Sequence, residues 1–575
     1  MSISVRPTRS FAPNASHTVT LPDGQVVHAS QLAQSERLER RFVTVRPGVW
    51  CLIGNGLSNQ TFVEGPDGIV AIDTGESVEE MHAALAELRQ VTDRPIVAVL
   101  YTHFHYVAGT RAVFDEAGHE VPVYGHAKIA FNRSRTATEI APAYSRGVVE
   151  QFAIVLPPDG PDGVTNVGLG RFFRDPAHAP FTFGFVPPTI TFDAPQVLHV
   201  AGLEVHVTPA PSDSDDSVTF WFPELGTAVQ NIVWPVLFNV FAIRGEEYRD
   251  PRVLLDGIEH LLSLDAEHLV AAHGPAMSGA DEIRRRVTRY RDAIQFLWDQ
   301  TVRLTNRGFS GPELAHAIRL PDSCDDDFVT SEFYGVTEHH VRQIRSGLFG
   351  FFDGDPAELF PLAPPDRAAR MLAGFGGRDE VRRQARAAID GDELRWAIEL
   401  GTWLVQADGA EQDDRLLLSE ALRAVAQRTS AANIRNWCLT RARGLDGSVD
   451  LGFLNRHRFG PSVVVADPVA SVHTLRVLLV PERADGMEAR LRWDFGSAGA
   501  TGLHVRNCVA VPTAFAADDA VVDATITCEP RTWALVLSGG VTLDAALDAG
   551  DVTISGDASL ARQVLSVFDV ASLQS

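Results

Sequence analysis

The sequence predicts an α/β fold of the αββα-sandwich type, followed by an all-α domain and an α+β domain. In residues 41–275, short β-type runs alternate with helical stretches. In residues 280–444 the apolar side chains recur with helical spacing, and after residue 447 they alternate as in strands. Alternating strands and helices pack as layers, whereas a long helical stretch forms its own domain. A chain of 575 residues is long enough for several domains.

These changes of pattern divide the chain into four segments. Residues 1–40 are polar and turn-rich and are interpreted as an N-terminal arm or irregular segment. The α/β domain is placed at 41–285, the all-α domain at 286–445 and the α+β domain at 446–575.

Composition limits the classes of partner. With 45% hydrophobic and 22% charged residues, the chain is typical of globular proteins. Its formal net charge of -24 argues against a nucleic-acid partner, which requires concentrated Lys and Arg. No run approaches the roughly 18 apolar residues of a membrane span, and the N-terminus lacks the apolar core of a secretory signal. Scattered cysteines without C-x-x-C spacing predict reduced thiols and a cytoplasmic protein: Cys51, Cys324, Cys438, Cys508 and Cys528.

The elements of the α/β domain follow from local signals. Turn residues at 66–68 join two β-type runs into a predicted hairpin. Ser77 is a predicted helix cap, with Glu79 and Glu80 in the first turn, where the helix dipole favours acids. Predicted strands lie at 42–45, 51–53, 60–64, 68–73 and 96–100, and the helix that Ser77 caps runs to about residue 90.

The later domains are predicted from periodicity alone. Residues 308–313 form a break with a cap ahead of the next helix. Helices are predicted at 284–302, 366–372, 378–390, 393–406, 415–427, 532–537 and 559–567. Strands are predicted at 475–480, 491–495, 502–511, 524–528 and 552–554.

The segment 102–109, Thr-His-Phe-His-Tyr-Val-Ala-Gly, carries the strongest functional signal. It follows the apolar run 96–100, which predicts a buried strand. His103 and His105, at positions i and i+2 on extended chain, point the same way and can bind one Zn²⁺ through two imidazoles.

This segment resembles the T-H-x-H-x-D-H-x-G motif of the metallo-β-lactamase superfamily. The motif's aspartate and third histidine, which help to hold a second metal, correspond to Val107 and Ala108, neither of which can coordinate. Thr110 stands at the closing glycine.

Over residues 40–575 the chain resembles, more specifically, alkylsulfatase-type members of that superfamily. The resemblance implies hydrolysis of long-chain alkyl sulfate esters at a dinuclear zinc site. It also implies a homodimer formed through the helical domain, and a sterol-carrier-like C-terminal domain that handles the alkyl chain. The landmarks, in order, lie at 58–61 with 64–65, 156–163 with 168–170, 290–292, 299–301, 306–308, 352–356 and 391–396.

The resemblance assigns His103 and His105 to the first metal and His273 to the second. One glutamate ligand of the family is missing from residues 208–213, where Asp213 is the nearest carboxylate. Its neighbours Asp215 and Asp216 are further candidates, and a solvated acidic loop is the alternative.

The family's bridging glutamate corresponds to Gln230. A neutral amide is a poor bridge between two cations, so a buried hydrogen-bonding role for Gln230 is the alternative.

These losses predict one metal ion in place of two. We expect a mononuclear Zn²⁺ site of His103, His105 and Asp213, completed by His273 or water, since three protein ligands plus water is a catalytic zinc pattern. The alternative for His273 is an unused remnant. Tyr106, beside the site, can coordinate, donate a proton or pack, and packing is the favoured interpretation.

Three residues match the family's sulfate-binding segments: Asn239, Arg244 and Tyr334. A guanidinium can donate two hydrogen bonds to a sulfate, and a surface ion pair is the alternative for Arg244. Arg249 is interpreted as a structural ion pair.

The leading interpretation is therefore an alkylsulfatase-like metallohydrolase acting on an amphipathic substrate with an anionic head, through Arg244, Tyr334 and Tyr106. One alternative is a non-hydrolytic metalloenzyme of specialised metabolism on the same scaffold. Another is a catalytically silent lipid-binding dimer. The fold cannot choose among them, because function is determined by the site.

Overall fold

The structure is a computed structural model that describes residue 11 and residues 14–324, 327–455, 460–513 and 521–570. The chain divides into two compact units. Among the described residues, the first unit contains those up to Ala130 together with those from Gly147 to Asp450, and the second contains Phe131–Arg146 together with those from Leu451 onward. A short segment from the predicted α/β domain thus groups with the C-terminal residues.

The N-terminal segment is regular where it is described, in contrast to the expectation of an irregular arm. Strands β1 (Thr18–Thr20) and β2 (Val26–His28) pair antiparallel, and helix α1 (Ser30–Arg37) follows. Gln31 and Gln34 of this helix are buried, and their polar amides are satisfied there by hydrogen bonds to backbone carbonyls. Gln34, for example, donates to the Gly168 carbonyl at 2.7 Å. Residues 1–10, 12 and 13 of the predicted arm lie outside the described residues.

A seven-stranded sheet begins the sandwich. Its first four strands pair antiparallel and the last three join in parallel. Two helices pack on one face through Met81, Leu85 and Val113. In sheet order the strands are β3 (Arg41–Arg46), β4 (Val49–Ile53), β5 (Gln60–Gly65), β6 (Gly68–Ile72), β7 (Ile96–Leu100), β8 (Val123–His126) and β9 (Ile190–Phe192), and the helices are α2 (Val78–Leu88) and α3 (Thr110–Ala117).

A six-stranded sheet packs on the other face of the first. Val70 and Ile72 contribute to the core between the sheets from one side, and Val205 and Phe220 from the other. The strands are β10 (Gln196–Val200), β11 (Leu203–Pro209), β12 (Val218–Phe222), β13 (Thr227–Gln230), β14 (His268–Ala271) and β15 (Met277–Ser278).

Between β8 and β9 the chain forms α4 (Ile129–Ala137) and α5 (Ala141–Gln151). The fourth layer consists of α6 (Pro251–Ser263) and α7 (Ala280–Thr305), which pack on the second sheet. Leu254 and Ile258 of α6 and Val287 of α7 share a buried cluster with Ala228 of the second sheet. The predicted αββα sandwich is confirmed.

The all-α part is confirmed in its main helices. Ser310 and Glu313 form a capping box at the predicted break. The helices are α8 (Gly311–Ala317), α9 (Thr337–Phe349), α10 (Pro364–Gly374), α11 (Arg378–Asp390), α12 (Leu394–Gln406), α13 (Gln412–Arg428) and α14 (Ala432–Asp446).

The C-terminal part is α+β, as expected, and packs around its own core, which includes Trp493 and Trp533. Its sheet has the order β18-β17-β16-β19-β20. The elements are α15 (Pro461–Ala466), α16 (Pro468–Thr474), β16 (Ala489–Asp494), β17 (Ala500–Arg506), β18 (Val509–Thr513), β19 (Ala524–Cys528), α17 (Pro530–Ser538), α18 (Leu543–Asp548), β20 (Val552–Gly556) and α19 (Ala558–Ser566).

Two predictions in this part are wrong. Residues 475–480 are not a strand, because they continue from α16 into 3₁₀ turns. The predicted single strand at 502–511 is a hairpin of β17 and β18, which turns at Asn507 and Cys508 with φ of 48° and 58°.

Candidate metal centre

The loop that carries the two histidines is fixed by Asp73, just beyond the end of β6. The Thr102 backbone N–H and hydroxyl both donate to the Asp73 carboxylate, at 2.8 and 2.6 Å. Since the Thr102 hydroxyl hydrogen is used there, its oxygen accepts from His103 Nδ1–H at 2.9 Å. This chain of hydrogen bonds sets the tautomer of His103 and leaves the lone pair on Nε2.

Three ligand atoms converge at this loop, from His103, His105 and Asp213, and all lie within 4.8 Å of one another. His105 Nδ1 is 2.6 Å from Asp213 Oδ2. His103 Nε2 is buried without a hydrogen-bond partner among the described residues, and lies 3.4 Å from the same oxygen, an ion-pair distance. A buried lone pair opposite a carboxylate oxygen is unfavourable unless a cation or a proton lies between them. The donor set fits a metal ion.

The pKa values of the side chains in this cluster are shifted strongly from their usual values. Burial lowers the pKa of His103 to about 4, so the ring is neutral at pH 7. Burial also opposes charge on His105 and Asp213. The Asp213 carboxylate nevertheless raises the pKa of His105, while His105 and Arg249 hold the pKa of Asp213 well below its usual range.

Of the three candidate aspartates, only Asp213 joins the histidines. Asp215 accepts from Lys128 Nζ at 2.7 Å, and Asp216 accepts from the Ser214 hydroxyl. Asp216 is fully buried, and this hydrogen bond lies within its own loop.

Arg249 forms the expected ion pair, and its partner is the candidate ligand itself. Its guanidinium donates to Asp213 Oδ1, to the Asp213 backbone carbonyl at 3.1 Å and to the Asn239 carbonyl at 2.6 Å. The ion pair holds Oδ1 of the carboxylate, while the two histidines approach Oδ2.

A second ion pair lies on the other side of His105. Arg244 Nη2 is 2.9 Å from Glu246 Oε1 and 3.3 Å from His105 Nε2. Glu246 Oε1 is itself 3.5 Å from His105 Nε2. The guanidinium that the sequence assigns to sulfate is thus beside the metal candidates and paired with a carboxylate.

His273 lies near the site, but both its ring nitrogens are engaged. Nδ1 donates to the Leu57 carbonyl at 3.0 Å, so Nε2 accepts from the Tyr106 hydroxyl at 3.2 Å. Burial lowers the pKa of His273 to about 4 and raises the pKa of Tyr106 far above its usual value, so this hydrogen bond joins two neutral groups. Tyr106 packs as expected, and the sequence does not predict its hydroxyl contact.

Val107 and Ala108, which stand at two other positions of the family's second metal site, contribute to packing and backbone hydrogen bonding. Val107 is fully buried among the apolar side chains under α2 and α3, and the Ala108 N–H donates to the Gly75 carbonyl at 3.0 Å. Their side chains offer no ligand.

Gln230 has the hydrogen-bonding role that was the alternative to metal binding. Its Oε1 accepts from the backbone N–H groups of Ile232 and Val233 at 2.5 and 2.7 Å, and its Nε2 donates to the Val233 carbonyl at 3.2 Å. The amide therefore closes a turn after β13.

The remaining sulfate candidates, Tyr334 and Asn239, are buried. Gln151 connects Tyr334 to Arg244, because its Nε2 donates to the Tyr334 hydroxyl while its Oε1 accepts from the Arg244 backbone N–H at 3.2 Å. The Asn239 side-chain amide is fully buried and has no hydrogen-bond partner within the described part of the chain.

Sequence reasoning missed Asp73, Gln151 and Glu246. Glu246 lies two residues from Arg244 and its charge was visible, but an acidic pair in a loop is usually solvated. Gln151 and Asp73 carried no local signal, since their contacts join distant segments of the chain.

The αββα fold and the cluster of two histidines and a carboxylate define a protein of the metallo-β-lactamase class. In agreement, residues 53–228 match the metallo-beta-lactamase superfamily. Residues 310–448 match the family "Alkyl sulfatase dimerisation" and residues 470–574 match "Alkyl sulfatase C-terminal".

Characterised relatives extend over most of the chain. A linear primary-alkylsulfatase of Pseudomonas sp. (strain ATCC 19151) is 30% identical over 88% of this chain and 98% of its own length. An alkyl/aryl-sulfatase of Saccharomyces cerevisiae is 27% identical over 91% of this chain and 82% of its own. The chain therefore belongs to the alkylsulfatase family, and the resemblance inferred from the sequence is confirmed.

One solved structure shares nearly the whole fold. The stereoselective inverting sec-alkylsulfatase Pisa1 from Pseudomonas sp. aligns with a TM-score of 0.84 at 24% identity, over 96% of this chain and 91% of that chain. In the described part of our chain, no helix combines the length and apolar character needed to cross a membrane.

Proposed function

We propose that this chain hydrolyses alkyl sulfates, or a related anionic ester, with one zinc ion held by His103, His105 and Asp213. The observation that carries the proposal is the convergence of the three ligand atoms within 4.8 Å. When bound, zinc in a site with three protein ligands supplies Lewis acidity and activates a water molecule as the nucleophile. The alkylsulfatase relatives support sulfate ester hydrolysis.

One metal is proposed because the residues expected for a second are engaged elsewhere. The lone pair of His273 Nε2 accepts from Tyr106, and the amide of Gln230 is hydrogen-bonded within its own turn. A second cation would also lack the bridging carboxylate, because the neutral Gln230 stands at that position.

Arg244 is proposed to hold the sulfate group. Its guanidinium is 3.3 Å from His105, so a sulfate that accepts two hydrogen bonds from it lies next to the metal ligands. Gln151 fixes both the Arg244 backbone and the Tyr334 hydroxyl, which supports a preorganised anion site. Asn239 provides a buried amide nearby with hydrogen-bonding capacity to spare.

An apolar cavity supports an alkyl substituent on the substrate. Ile243, next to Arg244 in the chain, lines a cavity of about 310 Å³, at the lower end of the range for ligand pockets. Its other apolar lining residues include Ile398, Leu422, Val425 and Trp437.

We expect Arg244→Ala to lower kcat/KM for dodecyl sulfate by about 10²–10³-fold, the usual cost of removing a group that stabilises transition-state charge. The zinc content should not change, because the ligands are intact. Steady-state hydrolysis and metal analysis of the purified protein measure the two quantities. Arg252→Ala is the matched control, since Arg252 is 63% exposed and pairs with Asp250 on the surface.

The same two measurements on the wild-type protein can contradict the proposed function. A full equivalent of zinc without hydrolysis of any alkyl sulfate would reject the sulfatase and favour non-hydrolytic chemistry. Neither zinc nor hydrolysis would favour the silent binding protein.

We also propose a homodimer formed through the helical domain, which matches a dimerisation family. Large apolar side chains are exposed in the stretch 349–362, which includes Phe351 at 80% and Phe360 at 82%. Contiguous exposed apolar groups of this size indicate a protein interface.

The double substitution Phe351→Asp with Phe360→Asp is expected to shift the protein from dimer to monomer, because two charges would be buried unpaired in the interface. Sedimentation velocity measures the change in mass. Val91→Asp, at a residue 48% exposed on the α/β domain, should leave the dimer intact. A double variant that stays dimeric contradicts the assignment of this stretch.

A further inference from the structure

Glu246 is a buried carboxylate to which the proposed mechanism gives no role. Its side chain is 4% exposed, whereas Glu247 is exposed. Its Oε1 lies 2.9 Å from Arg244 Nη2 and 3.5 Å from His105 Nε2.

The distance of 3.5 Å between Glu246 Oε1 and His105 Nε2 matters because of the chemistry of the imidazole ring. His105 presents Nδ1 to the cluster, 2.6 Å from Asp213 Oδ2. A neutral ring that gives its Nδ1 lone pair to a metal carries its hydrogen on Nε2. Arg244 Nη2 lies 3.3 Å from the same Nε2 and can only donate to its lone pair. When Nδ1 binds a metal and Nε2 carries the hydrogen, that contact gives way to a hydrogen bond from Nε2–H to the Glu246 carboxylate, which orients the ring and makes it a stronger ligand.

We propose that Glu246 is the positioning residue of His105, accepting the Nε2 hydrogen when Nδ1 binds the metal. The inference rests on the proposed function in placing a metal on His105. It goes beyond that function because it couples the metal ligand to the sulfate-binding group. The same oxygen holds Arg244, so one carboxylate sets both the orientation of the ring and the position of the guanidinium.

A simpler role would be to neutralise Arg244. In that case, removing Glu246 would weaken zinc binding only through the uncompensated charge of Arg244, and Glu246→Gln would weaken it as much as Glu246→Ala. The zinc affinities of these two variants therefore separate the two roles, and they are measured without reference to activity.

The experiment is a zinc titration of the metal-free full-length protein against a competing chelator. We expect Glu246→Ala to weaken zinc binding by about 10–100-fold, the usual cost of losing such a partner. Glu246→Gln should fall between this variant and the wild type, because its amide oxygen still accepts the hydrogen while the charge is lost. Glu247→Gln is the neighbouring control and should bind as the wild type does.

Equal zinc affinity of wild type and Glu246→Ala, or of Glu246→Gln and Glu246→Ala, would overturn the inference. If Glu246→Ala lowers the melting temperature of the metal-free protein, Glu246→Gln decides, and it must bind zinc more weakly than Glu247→Gln. Failure of the proposed function is recognised separately. A wild type that binds zinc but does not hydrolyse sulfates rejects the function alone, and one that binds no zinc rejects both.

Discussion

Replacing His103 with alanine is expected to remove the zinc ion and to abolish hydrolysis. The ring is fully buried and its lone pair is directed into the cluster by the hydrogen bond to Thr102. Loss of an outer-shell partner alone costs up to about 100-fold in metal affinity, so loss of a direct ligand should cost more. Metal analysis after dialysis and a dodecyl sulfate assay measure the two effects.

His206→Ala is a suitable control because this histidine pairs with Glu204 on the sheet surface and its side chain is 41% exposed. It should retain both zinc and activity. Hydrolysis that survives in His103→Ala would disprove the assigned role. Two equivalents of zinc in the wild type would disprove the mononuclear site.

Replacing Arg249 with methionine is expected to destabilise the metal-free protein by up to about 3–5 kcal/mol, because it takes the permanent cation away from a buried carboxylate and leaves only His105 as its partner. The side chains of Arg249 and Asp213 are 3% and 5% exposed. Bound zinc should restore part of the loss, since a cation again faces Asp213. Urea unfolding with and without zinc measures the change.

The pH dependence of this effect has a definite sign. The pKa of Asp213 is depressed in the folded state, so the ion pair's stabilisation is fully present above the unfolded pKa of about 3.9 and is lost as pH falls through the lower folded value. Without Arg249, the remaining partner of Asp213 is His105, whose raised pKa means that it carries a proton at low pH and loses it as the pH rises. Arg249→Met should therefore cost more at pH 8 than at pH 6. The double variant with Asp213→Asn should be more stable than Arg249→Met alone. If it is not, the loss does not arise from the unpaired charge.

Local signals in the sequence were sufficient for much of the fold. Ser77 accepts from the Glu80 N–H as a cap should, and the hairpin of β5 and β6 turns where residues 66–68 predicted. His103 and His105 were identified because their spacing and the preceding strand fix their direction. Features of this kind depend on neighbours in the chain, and so can be predicted from one sequence.

The errors arose where local patterns are ambiguous. A short apolar run such as 475–480 fits a strand or a buried helical turn equally well. The turn of the C-terminal hairpin was missed because Cys508 takes the left-handed position where glycine is usual.

In the site, the roles of Tyr106, His273 and Gln230 depend on tertiary contacts, which the sequence does not reveal. Tyr106 and His273 are 167 positions apart, and their hydrogen bond has no counterpart in either local segment. The role of Gln230 likewise depends on the turn that its amide closes.

The assignment of residues 131–146 to the second compact unit has a consequence for dissecting the molecule. The chain enters that unit, leaves it and returns at Leu451, so the unit is encoded in two separate stretches of the gene. A single truncation at residue 450 leaves one of these stretches behind. Recombinant fragments, or an evolutionary loss of the C-terminal unit, would need two cuts to remove it whole.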